Sequence, residues 1–222
     1  LNKWLLAVHL MCASKKAMSS HQIHRMLGVT YKSAWFMTHR IREAMKPGST
    51  GLMGEGGGVV EADETFWGNN GKQPKGARGF AHKMKVVSLV ERDGEKRSVV
   101  VPNVNAKTLR SVLEANVSKS AHLMTDEHAG YTKVGREFAS HGVTRHSRGE
   151  YAVGQVHSNT AEASFSLLKR GLVGTFHHVG EQHLQRYVTE FDFRWNHRKA
   201  TDRERSDTLL QSIAGKRLTY NA

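Results

Sequence analysis

With 222 residues the chain is long enough for one large domain, or for a medium domain with a small appendage. A hydrophobic fraction of 38% beside 24% charged residues fits a soluble globular protein, and no apolar run approaches the roughly 20 residues needed to span a bilayer. Lys and Arg number 33 against 20 Asp and Glu, a net of +13, which points to a polyanionic partner: nucleic acid first, an anionic membrane surface second. Cys12 is the single cysteine, so neither an intrachain disulfide nor a Cys-based zinc site can form, in keeping with a reducing compartment. No secretory signal is visible, and the start at Leu1, in what reads as mid-helix, suggests a fragment of a longer protein.

Residues 2–45 read as helices. Trp4, Leu5, Val8, Met11 and Cys12 recur at helical spacing, which makes Cys12 part of an inert apolar stripe. Ser19 and Ser20 are N-cap residues for a short helix ending at Gly28, and Thr30 can cap the next, with Ala34, Trp35, Met37, Ile41 and Ala44 on one face. The stretch "SSHQIHRMLGVTYKSAWFMTHRIREAM" therefore has helix-turn-helix form, with Tyr31, Lys32, Arg40 and Arg42 available to DNA. An ordinary helical hairpin has the same pattern. Residues 1–46 are thus expected to form an all-α segment, and the Gly-rich 47–57 a flexible joint.

From residue 58 the pattern turns to α/β. "GVVEAD" (58–63) reads as a short strand ending in an acid. A basic loop with Lys72, Lys75, Arg78 and Lys83 follows. Residues 83–92 and 97–104 read as strands joined at Asp93-Gly94, a hairpin signal. An amphipathic helix (106–117) precedes a strand at 121–126 that ends in Asp126. A helix near 130–139, a strand near 142–147, a helix from about 158 and a longer one over 181–199 complete the pattern. This order predicts a mixed sheet flanked by helices over residues 58–222.

Asp63 and Asp126 both end apolar strands, where ligands bind in open α/β sheets. Glu162 follows 36 positions after Asp126, on the helix that carries Lys169 two turns later. Three converging carboxylates repel each other unless divalent cations sit among them, and hard oxygen donors suit Mg²⁺ or Mn²⁺. Two such ions about 4 Å apart can activate an attacking oxygen and stabilise a leaving one in phosphoryl transfer. Taken singly, each residue has a plainer reading. Asp63 can terminate a strand between solvated Glu61 and Glu64. Asp126 can cap a turn while Glu127 acts as the ligand. Glu162, Lys169 and Arg170 can belong to a solvated helix face, with His177 and His178 nearby. His21 and His24 lack the partners of a zinc site. Tyr187, Phe191 and Trp195 read as core, and Arg194 and Arg198 as surface or DNA contacts.

The phrases "VEADETFWG", "VVPNVNAKTL", "TDEHAGY", "HSNTAEASFSLLKRGLVGTFHHV" and "HLQRYVTEFDFRWNHR" resemble DDE insertion-sequence transposases of the prokaryotic branch related to Merlin elements, over nearly the whole chain. The resemblance implies an RNase H-like catalytic domain, two Mg²⁺ or Mn²⁺ ions, and metal-dependent cleavage and transfer of double-stranded DNA at element ends. It implies Asp63, Asp126 and Glu162 as metal ligands and Lys169 as a DNA contact. In parts of the branch the third catalytic position is Asn, and Asn159, three residues before Glu162, leaves that position open between the two. The resemblance further implies a cytoplasmic, nucleoid-associated protein that forms homo-oligomers on DNA. The branch usually carries a zinc ribbon ahead of this region; with one cysteine this chain has none. A non-catalytic DNA-binding remnant and an RNase H-fold nuclease without strand transfer are the competing functions.

Overall fold

A computed structural model describes residues 1–48, 51–69, 79–145 and 157–216. The chain divides into two compact units. One contains Leu1–Gly48 and Leu167–Ala222, the other Ser49–Ser166.

The second unit is a five-stranded mixed sheet. Its strands are β1 (Val59–Trp67), β2 (Met84–Glu91), β3 (Lys96–Val101), β4 (His122–Thr125) and β5 (Ser140–Val143), in the order β3-β2-β1-β4-β5. The first three strands form an antiparallel meander, and β4 and β5 join it in parallel on the far side of β1. The β2–β3 turn falls at Asp93-Gly94, where Asp93 adopts a positive φ of 59°. Helix α4 (Ala106–Asn116) and the short α5 (Tyr131–Val134), which runs into a 3₁₀ turn at Gly135–Glu137, follow β3 and β4. Their apolar residues Leu109, Leu113, Tyr131 and Val134 pack with Val60, Ala62, Val87, Leu89 and Leu123 from one face of the sheet. This is the expected α/β, RNase H-like architecture.

Among the details that differ from the sequence reading, two concern β1 and the segment before it. The strand expected to stop at Asp63 runs on to Trp67, because β2 continues to pair with it through Met84. The segment expected to be a flexible joint is partly built into the core. Met53 is buried, its N–H donates to Asn116 O (2.8 Å), its carbonyl accepts from Ser118 N (2.9 Å), and it bridges to Val117. Gly54 follows at φ 72°, where a Cβ would stand 2.5 Å from that of Ala121, so only glycine fits this turn.

The other unit is helical. It contains α1 (Asn2–Ala13), α2 (Ser20–Leu27) and α3 (Tyr31–Ala44). Ser19 accepts from Gln22 N and Thr30 from Ser33 N, and Gly28 closes α2 in the left-handed conformation, as the cap residues predict. Helix α6 (Asn159–Gly171) starts in the α/β unit and ends in this one, followed by a π-helical turn at Leu172–Phe176. Helices α7 (Glu181–Asn196) and α8 (Asp202–Gln211) complete it. Ala7, Met11, Cys12, Ile23, Met37, Ile41, Phe193 and Leu209 form its core. Helix α8 was not foreseen, although Thr201 and Glu204 spell a capping box: Thr201 accepts from Glu204 N while Glu204 accepts from Thr201 N. Thr201→Ala is expected to cost about 1 kcal/mol, read as a fall of roughly 2–4 °C in the thermal midpoint.

Candidate active site

The sheet has two chemically different faces. Even-numbered residues of β1 (Val60, Ala62) enter the apolar core under α4 and α5. Odd-numbered residues (Glu61, Asp63, Thr65) face the other way, because side chains alternate along a strand. Beside them on β2 and β3 lie Ser88, paired with Asp63, and Ser98, whose hydroxyls are 2.7 Å apart. The candidate chemistry occupies this face, where these polar groups sit among the buried apolar Val86, Val90 and Met124.

Strand register brings the first two carboxylates together. Ala62 pairs with Thr125, the last residue of β4, so the next position on each strand places Asp63 beside Asp126, on strands about 4.8 Å apart. Both aspartates also serve local geometry. Asp63 Oδ1 accepts from Glu64 N (2.7 Å), and Asp126 Oδ1 accepts from His128 N (3.0 Å), which turns the chain out of β4. Asp126 is half-buried, whereas its rival Glu127 is exposed.

Glu162 arrives from α6, exposed on its first turn, and Asn159 is exposed at the helix start. The field of Glu162 reaches Asp63. Burial, with the charges of Asp126, Glu64 and Glu162, pushes the Asp63 carboxyl from its ordinary 3.8 up to about 8, against the opposing pull of the Glu64 N–H. A cluster of carboxylates of this kind has the donor chemistry of a site for hard divalent cations. Among the described residues, no three His, Cys, Asp or Glu side chains converge closely enough, as they stand, to hold an ion.

Two carboxylates read from sequence as solvated neighbours of Asp63 are in fact enclosed. Glu61 is fully buried and ion-paired to Arg92 Nε at 2.9 Å. Glu64, on the opposite face, accepts the Tyr131 hydroxyl (2.8 Å) and lies 3.8 Å from His128 Nδ1. Burial, then the nearby Asp126, raises the Glu64 carboxyl above its usual value. Period-two alternation put Glu61 on the Asp63 face from the start; its partners, up to 100 positions away, left no local signal.

Of the basic residues expected to meet DNA, Lys32, Lys169, Arg170 and Arg198 are exposed, and Arg198 lies over the Trp195 ring at 5.0 Å. Arg40 is half-buried, 5.9 Å from the Phe36 ring. Arg42 is not a DNA contact. Its side chain is 0% exposed, its Nε donates to Glu190 Oε2 (2.8 Å), and its guanidinium stacks over Tyr187 (4.1 Å). Arg194 is likewise turned inward, bonded to the Ser14 and Met11 carbonyls and to Glu190 (2.7 Å). Lys72, Lys75 and Arg78 lie outside the described residues.

Residues 55–196, most of the chain and all of the carboxylate cluster, match the ISXO2-like transposase domain. The chain belongs to that transposase family. It is also similar to an uncharacterized protein in transposable element ISH50 of Halobacterium salinarum, with 26% identity over 228 residues, covering 96% of this chain and 75% of that protein. Among the described residues, the transposase has no helix long and apolar enough to cross a membrane.

Proposed function

We propose that this transposase cleaves DNA strands at the ends of an insertion sequence and joins them to target DNA, using Asp63, Asp126 and Glu162 as the oxygen donors of a divalent-metal site. The observation that carries the reading is the register that sets Asp63 beside Asp126, with the charge of Glu162 acting on the same carboxyl. Bound there, two Mg²⁺ or Mn²⁺ ions supply neutralisation of the charge that builds on attacking and leaving oxygens in phosphoryl transfer. The three carboxylates hold that charge in place, and the half-buried setting of Asp63 limits water around the reacting phosphate. Glu162 is the third donor in preference to Asn159, because a carboxylate neutralises a cation and a carboxamide does not.

Exposed Lys169, Arg170, Lys32 and Arg198 are assigned to the phosphate backbone, with half-buried Arg40 at the edge of that set. The α2–turn–α3 unit, with Tyr31 stacked on His21 at 4.2 Å, presents the start of α3 in the manner of a groove-reading helix. Self-association on paired element ends belongs to the same proposal.

A strand-transfer assay with a pre-cut element end tests it. Joined product that requires Mn²⁺ or Mg²⁺ supports transposition. Hydrolysis without joining would mark a plain nuclease, and tight binding with neither would mark a DNA-binding remnant. Binding itself is expected to weaken linearly in log affinity against log salt, with a slope that falls by about one for each phosphate-contacting lysine removed.

A further inference from the structure

We infer that Glu61 is a positioning residue: it clamps the first turn of α6 to β1 and thereby fixes where Glu162 stands relative to Asp63. The inference rests on the reading of Asp63, Asp126 and Glu162 as one site. Glu61 is fully buried on the same face of β1 as Asp63, two residues before it. Its Oε2 accepts the N–H groups of Thr160 (2.9 Å) and Ala161 (3.1 Å). Its Oε1 accepts the Thr160 hydroxyl (3.0 Å) and Arg92 Nε (2.9 Å). Arg92 donates onward to the His157 carbonyl (3.2 Å), and His157 Nδ1 itself stands 3.2 Å from Glu61 Oε1.

The first N–H groups of a helix have no partner within it and form its positive end. Such groups are ordinarily capped by a side chain just ahead of the helix. Here the cap is a carboxylate from a strand 99 and 100 positions earlier, so it ties α6 to the sheet rather than only closing its end. Three of these four charge-assisted bonds go to the first turn of α6 and oppose its slide or rotation, and the fourth, from Arg92, holds the carboxylate itself. The residue after Ala161 is Glu162. Along β1, Glu61 and Asp63 are separated by about 6.6 Å, so the grip and the reacting carboxyl lie one strand repeat apart. A displacement of about 1 Å in a catalytic group can cost on the order of a hundredfold in rate, which gives such a clamp a function beyond stability.

The test is Mn²⁺ binding to the DNA-free protein, followed by electron paramagnetic resonance, beside amide hydrogen exchange over residues 160–165 without metal. Glu61→Gln keeps the shape but offers one good acceptor and no charge. It is expected to weaken Mn²⁺ binding roughly 10–100-fold, the range for removing a group that orients a ligand. It should also speed exchange at residues 160–165, while the protein stays folded by circular dichroism. Should Glu61→Gln fail to fold, Thr160→Val, which deletes one of the four bonds, decides: weaker Mn²⁺ binding and faster exchange, both restored in Thr160→Ser, are expected. Folded variants with unchanged Mn²⁺ affinity and unchanged exchange would overturn the clamp. A wild-type protein that binds no Mn²⁺ would overturn the metal reading instead, and the exchange comparison alone would then judge Glu61.

Discussion

Glu190→Gln is expected to destabilise the protein by about 3–5 kcal/mol, because it strips a fully buried cation of its partner. Glu190 sits at the centre of the helical unit, reached by Arg42 Nε from α3 (2.8 Å) and by Arg194 from one turn along α7 (2.7 Å). Burial alone pushes its carboxyl upward, but the two guanidinium groups outweigh that and hold it below its ordinary value of 4.5. The carboxyl is therefore depressed on folding. Its contribution is fully present above pH 4.5 and is lost as pH falls through the lower, folded value. The Arg42→Met/Glu190→Met double variant removes both charges and is expected to cost less than Glu190→Gln alone, since no unpaired ion remains between those two positions. Denaturant unfolding of the three proteins checks this. A Glu190→Gln loss under about 1 kcal/mol, the ordinary worth of a surface pair, would contradict it.

Asp63→Asn is expected to separate activity from stability. Loss of a donor that other carboxylates are arranged around should reduce strand cleavage by at least about a thousandfold, equivalent to about 4 kcal/mol in the barrier. The metal-free protein should nonetheless become more stable at pH 8. The Asp63 carboxyl is raised from 3.8 to about 8 on folding. Between those values the folded chain holds a proton that the unfolded chain releases, so wild-type stability falls as pH rises across the window. Asparagine carries no charge and has no such dependence. Thermal unfolding in chelator should therefore show the variant ahead of wild type at pH 8, with the gap closing towards pH 4. Equal pH profiles would contradict the crowding of like charges at Asp63.

What the sequence made legible was local. Caps at Ser19, Thr30 and Gly28, the Asp93-Gly94 turn and the apolar strands at 84–91 and 122–125 each carry their signal within a few residues, and each forms where the pattern places it. Asp126 at the end of β4 was legible for the same reason. Interactions set by distant partners were not. Charge alone marks Glu61, Glu64 and Arg42 as solvent-facing, and all three are enclosed by residues 31 to 148 positions away. Met53 reads as part of a glycine-rich joint because nothing nearby announces its pairing with Val117. The extension of β1 beyond Asp63 depends on the length of β2, which a strand's own residues do not encode. The capping box at Thr201 is a local signal too, but α8 lacks the strong apolar stripe that would mark a helix beyond it: Ser206 and Leu209 are its buried residues.

The most direct test of the carboxylate site is nicking of supercoiled DNA in Mn²⁺ or Mg²⁺ by wild type beside Asp126→Ala, Glu162→Ala and Asn159→Ala. The predicted result is metal-dependent nicking by wild type and by Asn159→Ala, lost in Asp126→Ala and Glu162→Ala. Loss in Asn159→Ala with activity kept in Glu162→Ala would move the third donor to Asn159, and nicking that survives all three substitutions would contradict the site altogether.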